Sequence, residues 1–147
     1  IDHPSSAVQD RSVYEDAEIF AANLYRQGLM DERDHLSYAD LYHVLIEFLP
    51  PPDLVIYLRA SVPTLFRRIV QRGRGYEREI SAGYLNQLNL LYDEWIDNFS
   101  LCPVLTVPAD DLDYVAHPSH LELIVRKIQD KLIGKEEVRF TAEEINN

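Results

Sequence analysis

The residues of this sequence that first suggest chemistry are its clustered arginines. Residues 67–78 hold five of them (67, 68, 72, 74 and 78) against one acid, Glu77, in a chain of net charge −11. Like charges this dense repel, so a fold gains nothing by gathering them unless a multiply charged anion is to be met there. Guanidinium groups grip phosphate oxygens through paired hydrogen bonds, so phosphate is the anion the residue type suggests. Ser61 as N-cap and Pro63 in the first turn predict a helix leading to Arg72. Helical spacing puts Leu65, Phe66, Ile69 and Val70 on one face and Arg67, Arg68 and Arg72 on the other. Gly73 and Gly75 are expected to end it and leave Arg74 on a mobile turn. A row of guanidiniums entering a glycine-hinged loop suits a lid that closes over phosphates. The alternative is a solvated basic face.

Composition narrows the partners. At 147 residues the chain is long enough for one domain with a real core, and 46% hydrophobic residues fit a globular protein rather than a disordered one. No apolar run is long enough to span a bilayer, and no signal peptide is evident, so no membrane partner is expected. Cys102 is the sole cysteine, which excludes an internal disulfide framework and makes a reducing cytoplasm the expected compartment. The pI near 4.7 argues against a nucleic-acid surface. The positive charge is local, and it suits a small phosphate ligand.

The elements that must position these residues alternate between strand and helix. Ala7–Arg11 is a short strand candidate whose polar residues fall at its carboxyl end, where open α/β sheets present ligands. Ser12 and Glu15 read as a capping box for a helix to about Gln27, stopped by Gly28, with Ile19, Phe20, Asn23 and Leu24 inward. Asp16, one turn before Phe20, is either dipole compensation or a ligand contact. A second helix covers 33–49 with Leu36, Leu41, Leu45 and Leu49, and three prolines halt it. Residues 53–58 read as a strand buried on both faces, 81–99 as a helix with an aromatic stripe, 103–107 as a further buried strand, and 120–133 as the last helix. From Gly134 onward a charged, frayed tail is expected. The fold class expected is therefore α/β with a mostly parallel sheet flanked by helices.

A phosphate lid implies a phosphate cradle of the form G-x-x-x-x-G-K-[ST], and none of the five glycines opens one. Either phosphate is bound differently, or a first strand and its P-loop lie outside this sequence; the second is expected. His117 and His120 flank a proline without a nearby cysteine, and a zinc site is not expected there. Cys102, in an apolar strand context, reads as core.

Gln9-Asp10-Arg11-Ser12-Val13-Tyr14-Glu15-Asp16 and Arg72-Gly73-Arg74-Gly75-Tyr76-Glu77, in this order and spacing, resemble the deoxynucleoside kinases, most of all the bacterial deoxyadenosine/deoxyguanosine kinases. The resemblance runs from residue 8 to about 133. It implies a P-loop-kinase-like sheet, residues 1–133 as the larger carboxyl-terminal part of the kinase domain and 134–147 as a charged tail. It implies ATP and Mg²⁺, a deoxynucleoside acceptor and a homodimer, with this stretch inactive or nearly so by itself. By resemblance Asp10 is the acid near Mg²⁺ and the transferred phosphoryl group, and Arg11 contacts the substrate 5′ end and phosphate. Asp16 reads the nucleobase edge, which displaces the dipole reading. Arg68, Arg72 and Arg74 are lid arginines on the ATP phosphates, Arg72 among the catalytic residues. Glu77 accepts from the sugar 3′-hydroxyl, and Tyr114 lies beside the adenine of ATP. Rival readings are a nucleoside monophosphate kinase such as thymidylate kinase, which the Asp-Arg-Ser-x-Tyr-x-Asp run disfavours, and a non-catalytic nucleotide-binding subunit.

Overall fold

The computed structural model describes residues 6–77, 79–134 and 138–146, and of Tyr76 the backbone alone. Arg78, counted above in the arginine cluster, lies outside the described residues. The chain divides into two compact units, residues 1–50 and 51–147.

The first unit is helical. Residues 6–9 run without regular structure into a bend at Asp10 and Arg11, so the strand expected over Ala7–Arg11 does not form. Arg11 takes the left-handed conformation (φ 64°), which ends any extended run, and three polar residues in five give little apolar surface to hold one. Helix α1 (Val13–Glu15) passes into a π-helical segment, Asp16–Ala21, and then into α2 (Ala22–Arg26). Ser12 has the extended backbone of an N-cap, but its hydroxyl makes no capping hydrogen bond, so the expected capping box is absent. Gly28 (φ 71°) stops the run as expected, with its amide donating to Tyr25 and that of Leu29 to Leu24. Tyr14, Ile19 and Asn23 are buried, whereas Leu24 faces solvent. Helix α3 (Glu32–Phe48) begins at Asp31, whose carboxylate accepts from the Asp34 amide at 2.8 Å. Its leucines 36, 41, 45 and the following Leu49 are exposed, and Tyr42 is the buried residue. Burial, and then the Glu18 carboxylate that accepts its hydroxyl, raise the Tyr42 pKa above the usual phenol range.

The second unit is α/β. Strand β1 (Val55–Arg59) pairs in parallel with β2 (Val104–Pro108), Val55 opposite Val104 and Arg59 opposite Pro108. A parallel pair needs a long crossover, and α4 (Val62–Arg72) and α5 (Ala82–Asn98) provide it. Neither strand is buried on both faces as expected. In β1 Leu58 and Arg59 are exposed, and in β2 Thr106 is exposed between the buried Leu105 and Val107. Helix α5 is capped by Ser81, which accepts from the Tyr84 amide, and it buries Leu85 and Leu91, with Tyr92 and Trp95 half-buried, so the stripe is mainly core. Tyr57 stacks on Tyr92 and donates to Asp93; burial first, then that carboxylate, push its hydroxyl up to about 12. Cys102 is half-buried and burial pushes its thiol up, the opposite of what activates a nucleophile.

The core of this unit is Leu105, Val107, Leu112, Leu123 and Ile124, the last two from α6 (Pro118–Leu132). Within the expected frayed tail, the described residues 138–146 are ordered against the core. Val138, Phe140 and Ile145 pack against that core, and α7 (Ala142–Ile145) opens with a complete capping box between Thr141 and Glu144. Lys127 of α6 holds the segment by donating to both Glu144 oxygens, at 2.7 and 2.8 Å. Charge hid this docking from periodicity, because the apolar residues are spread over an irregular stretch.

Lys127's hydrogen bond, with those of Thr141, lowers the Glu144 pKa to about 2. A depressed carboxylate pKa stabilises docking above the ordinary glutamate range and loses that effect as pH falls toward 2. Amide protection over residues 138–146, taken relative to the unstructured-chain rate at each pH, should therefore be high at neutral pH and fall below about pH 4. Glu144→Gln should make it low already at pH 7.

Candidate functional site

The arginine helix is held by the loop after β2. Ser61 has N-cap geometry, yet its hydroxyl caps nothing within the helix. Instead the Asp110 carboxylate accepts from the Ser61 amide at 3.0 and 3.1 Å and from the Ser61 hydroxyl at 2.9 Å. Burial opposes the charge on Asp110, but the hydrogen bonds of Thr64 and Ser61, with Arg68 nearby, outweigh it and lower its pKa. About two turns further on, Arg68 Nη2 donates to the Ala109 carbonyl at 2.6 Å and to that of Leu112 at 3.4 Å. The helix is thus turned so that Thr64 is buried while Phe66 and Val70, expected on the core face, are 43% and 64% exposed. Carbonyl groups reward a guanidinium more than a shallow surface rewards two apolar side chains.

At the other end Gly73 closes the helix in the left-handed conformation (φ 68°), its amide on Ile69. The chain then folds into a 3₁₀ turn, Gly75–Glu77, that swings Glu77 under the arginines. Arg72 Nε and Nη2 donate to the two Glu77 oxygens at 3.1 and 2.6 Å. Arg74 Nη1 stands 3.8 Å from the same carboxylate, so its turn is ion-paired. Glu77 is buried, while the Arg72 and Arg74 side chains are about half exposed. The arrangement is a desolvated carboxylate forked by one arginine, with cationic surface turned outward.

The loop that holds Arg68 also carries Asp113 and Tyr114. The Asp113 carboxylate accepts from the amides of Val115 at 3.1 Å and Ala116 at 3.0 Å, and those bonds, Ala116's foremost, lower its pKa. Tyr114 is half-buried against the Leu105–Ile124 core. Arg68, Arg72, Arg74, Glu77 and Tyr114 therefore belong to the second unit, with Arg68 bonded to carbonyls of the loop that carries Tyr114.

Asp10, Arg11 and Asp16 belong to the first unit. Asp10 is exposed on its bend. Arg11 stacks its guanidinium over Phe20, 4.7 Å from the ring centroid. Its left-handed backbone is uncommon for a side chain without glycine's freedom and costs about 1 kcal/mol. Asp16 is exposed at the first residue of the π-helical segment. Sequence reading gives neither the stacking of Phe20 under Arg11 nor the hold of Asp110 on Ser61, because helical spacing marks Phe20 only as an inward residue and the partner of Asp110 lies 49 residues away. No group of three or more His, Cys, Asp or Glu side chains able to hold a metal occurs among the described residues.

A family model described as deoxynucleoside kinase matches residues 2–134. The deoxyadenosine/deoxycytidine kinase of Bacillus subtilis (strain 168) is 37% identical over 123 residues, covering 82% of this chain and 57% of that protein. The deoxyguanosine kinase of the same organism is 32% identical over 125 residues, with 82% and 60% covered. The solved deoxyadenosine kinase from M. mycoides with bound dCTP superposes with a TM-score of 0.69 at 35% identity, over 82% of this chain and 62% of that one. The chain belongs to the deoxynucleoside kinase family and shares its P-loop kinase fold. It spans about three fifths of the length of the curated relatives it matches.

Asp110→Ala should destabilise the second unit by about 1 kcal/mol in urea unfolding at pH 7, the usual loss of a helix cap. Because its pKa is lowered in the fold, the stabilisation is present above the ordinary aspartate range and fades as pH drops through the folded value. The gap between wild type and variant should therefore shrink in acid.

Proposed function

We propose that this chain is the larger part of an ATP-dependent kinase that phosphorylates the 5′-hydroxyl of a deoxynucleoside, deoxyadenosine or deoxyguanosine, in nucleotide salvage. The observation that carries the proposal is the arginine group on α4 and its turn, where Arg72 and Arg74 converge on one buried carboxylate in a member of this family. Phosphoryl transfer needs positioning and charge neutralisation more than covalent chemistry, and guanidiniums suit both.

In the proposed mechanism Arg72 and Arg74 turn their exposed donors to the ATP phosphates and neutralise charge as the γ-phosphoryl moves. Arg68, fixed to the loop carbonyls, sets the helix and adds positive charge beneath the phosphates. Glu77 accepts from the sugar 3′-hydroxyl while keeping Arg72 oriented. Tyr114 lies beside the adenine of ATP. Asp16 accepts from the nucleobase edge, and its place at a π-helical opening supports that, since such segments often mark functional positions. Arg11 contacts the 5′ end and the phosphate, its strained backbone and its stack on Phe20 supporting a pre-set orientation. Asp10 supplies one exposed carboxylate, which fits Mg²⁺ because that ion is commonly held by one or two carboxylates and the substrate phosphates. When bound, Mg²⁺ would neutralise phosphate charge. We further propose a cytoplasmic homodimer, with the exposed Leu41, Val44, Leu45 and Phe48 of α3 as its apolar seam. The phosphate cradle is proposed to lie outside residues 1–147, because no glycine here opens a P-loop.

In an active form of the protein, Arg72→Ala should lower kcat by on the order of 10³-fold, with a far smaller rise in KM for the deoxynucleoside. Arg72→Lys, which leaves Glu77 a charged partner, controls for folding and should also be slow, because lysine lacks the two-pronged fork. A change confined to nucleoside KM would remove Arg72 from the transferring phosphoryl group.

A further inference from the structure

The histidine pair of the sequence has a use that neither a metal nor the proposed phosphate site absorbs. His120 lies in the first turns of α6, and its ring joins two segments from either side of that helix. The Asp113 amide donates to Nδ1 at 2.9 Å, and Nε2 lies 3.1 Å from the Ile145 carbonyl oxygen. An amide nitrogen only donates, so Nδ1 must present its lone pair; a carbonyl only accepts, so Nε2 must carry the proton. One neutral tautomer satisfies both bonds. Asp113 is the residue whose carboxylate closes the turn through Val115 and Ala116, and Tyr114 stands inside that turn. Ile145 ends α7, in the segment that Lys127, Glu144 and Phe140 dock onto the core. Elsewhere the same loop and segment line an open cavity of about 320 Å³ through Asp111, Ala142, Ile145 and Asn146.

We propose that His120 is a positioning residue: it fixes the turn bearing Tyr114 and makes that fixation depend on docking of residues 138–146. Its consequence for nucleotide binding rests on the reading of Tyr114 given above. With the segment docked, the Ile145 carbonyl holds the proton on Nε2 and so keeps Nδ1 free to accept from Asp113. With the segment undocked, neither ring orientation nor tautomer is held, and the turn loosens. The carboxyl-terminal segment then acts on the nucleotide base loop without touching the nucleotide.

Two amide side chains separate the bonds. In His120→Asn the side-chain oxygen overlies Nδ1 and can accept from Asp113, but nothing reaches Ile145. In His120→Gln the amide nitrogen overlies Nε2 and can donate to Ile145, but nothing meets Asp113. Amide exchange on residues 1–147, with ¹⁵N shifts of the imidazole, reads all three species. Expected are an Nε2–H tautomer in the wild type and exchange at Asp113 that is about tenfold faster in His120→Gln, the scale of one lost hydrogen bond. His120→Asn should keep Asp113 protected. Glu144→Gln, which removes the Lys127 ion pair and is expected to undock the segment, should quicken Asp113 in the wild-type background and leave it unchanged in His120→Asn. An Nδ1–H tautomer, equal Asp113 exchange in wild type and His120→Gln, or no effect of Glu144→Gln on Asp113 would each overturn the proposal. Binding of a fluorescent adenine nucleotide to an active form tests the Tyr114 reading separately. If none binds, that reading falls, while the exchange data still decide the role of His120.

Discussion

The grip of the β2 loop on the arginine helix is the interaction on which the arrangement of the second unit's arginines depends. A helix bearing Arg67, Arg68 and Arg72 has no intrinsic reason to sit against a sheet, because its cations repel one another and favour water. Asp110 supplies a negative charge at its amino end, where the helix dipole is positive, and Arg68 turns inward to two loop carbonyls. Those contacts fix the rotation of the helix, and the rotation decides which arginines face outward. Apolar packing contributes less here than usual, since Phe66 and Val70 stay exposed.

The carboxyl end of the same helix shows how a charge-dense segment stays folded. Glu77 is buried, and an unpaired buried carboxylate would be costly, so the fork from Arg72 is a condition of its burial. The pair also holds the guanidinium in one orientation with donors left over, which is the pre-organisation a phosphate-binding group needs. Gly73 makes the reversal possible by taking a left-handed conformation that other residues resist.

Much of this was legible in the sequence, and the reasons differ from residue to residue. Helix α3 announced itself through its spaced leucines and the prolines that stop it, and α5 through its aromatic stripe, whereas their caps, Asp31 and Ser81, emerged only in the structure. The strands at 55–59 and 104–108 followed from apolar runs between turn residues, although their exposed faces did not, because a run of apolar residues does not reveal how many layers cover it. The arginine cluster and Glu77 stood out against an acidic background. What stayed hidden depends on distant partners: the rotation of α4 is set by carbonyls more than 40 residues away, and the docked tail by Lys127. The failed strand at Ala7–Arg11 turned on one left-handed residue, and the π-helical segment at Asp16 has no simple sequence signal.

The central claim, that these residues serve phosphoryl transfer to a deoxynucleoside, is tested most directly by labelled phosphate transfer from ATP. Deoxyadenosine, deoxyguanosine, deoxycytidine and thymidine would be offered side by side to residues 1–147 and to a version that includes a P-loop. The account predicts 5′-phosphorylated product from the P-loop-containing protein, strongest with the two purines, and little or none from residues 1–147. No transfer to any acceptor by the P-loop-containing protein would contradict the kinase reading, and turnover by residues 1–147 alone would contradict the need for a cradle elsewhere.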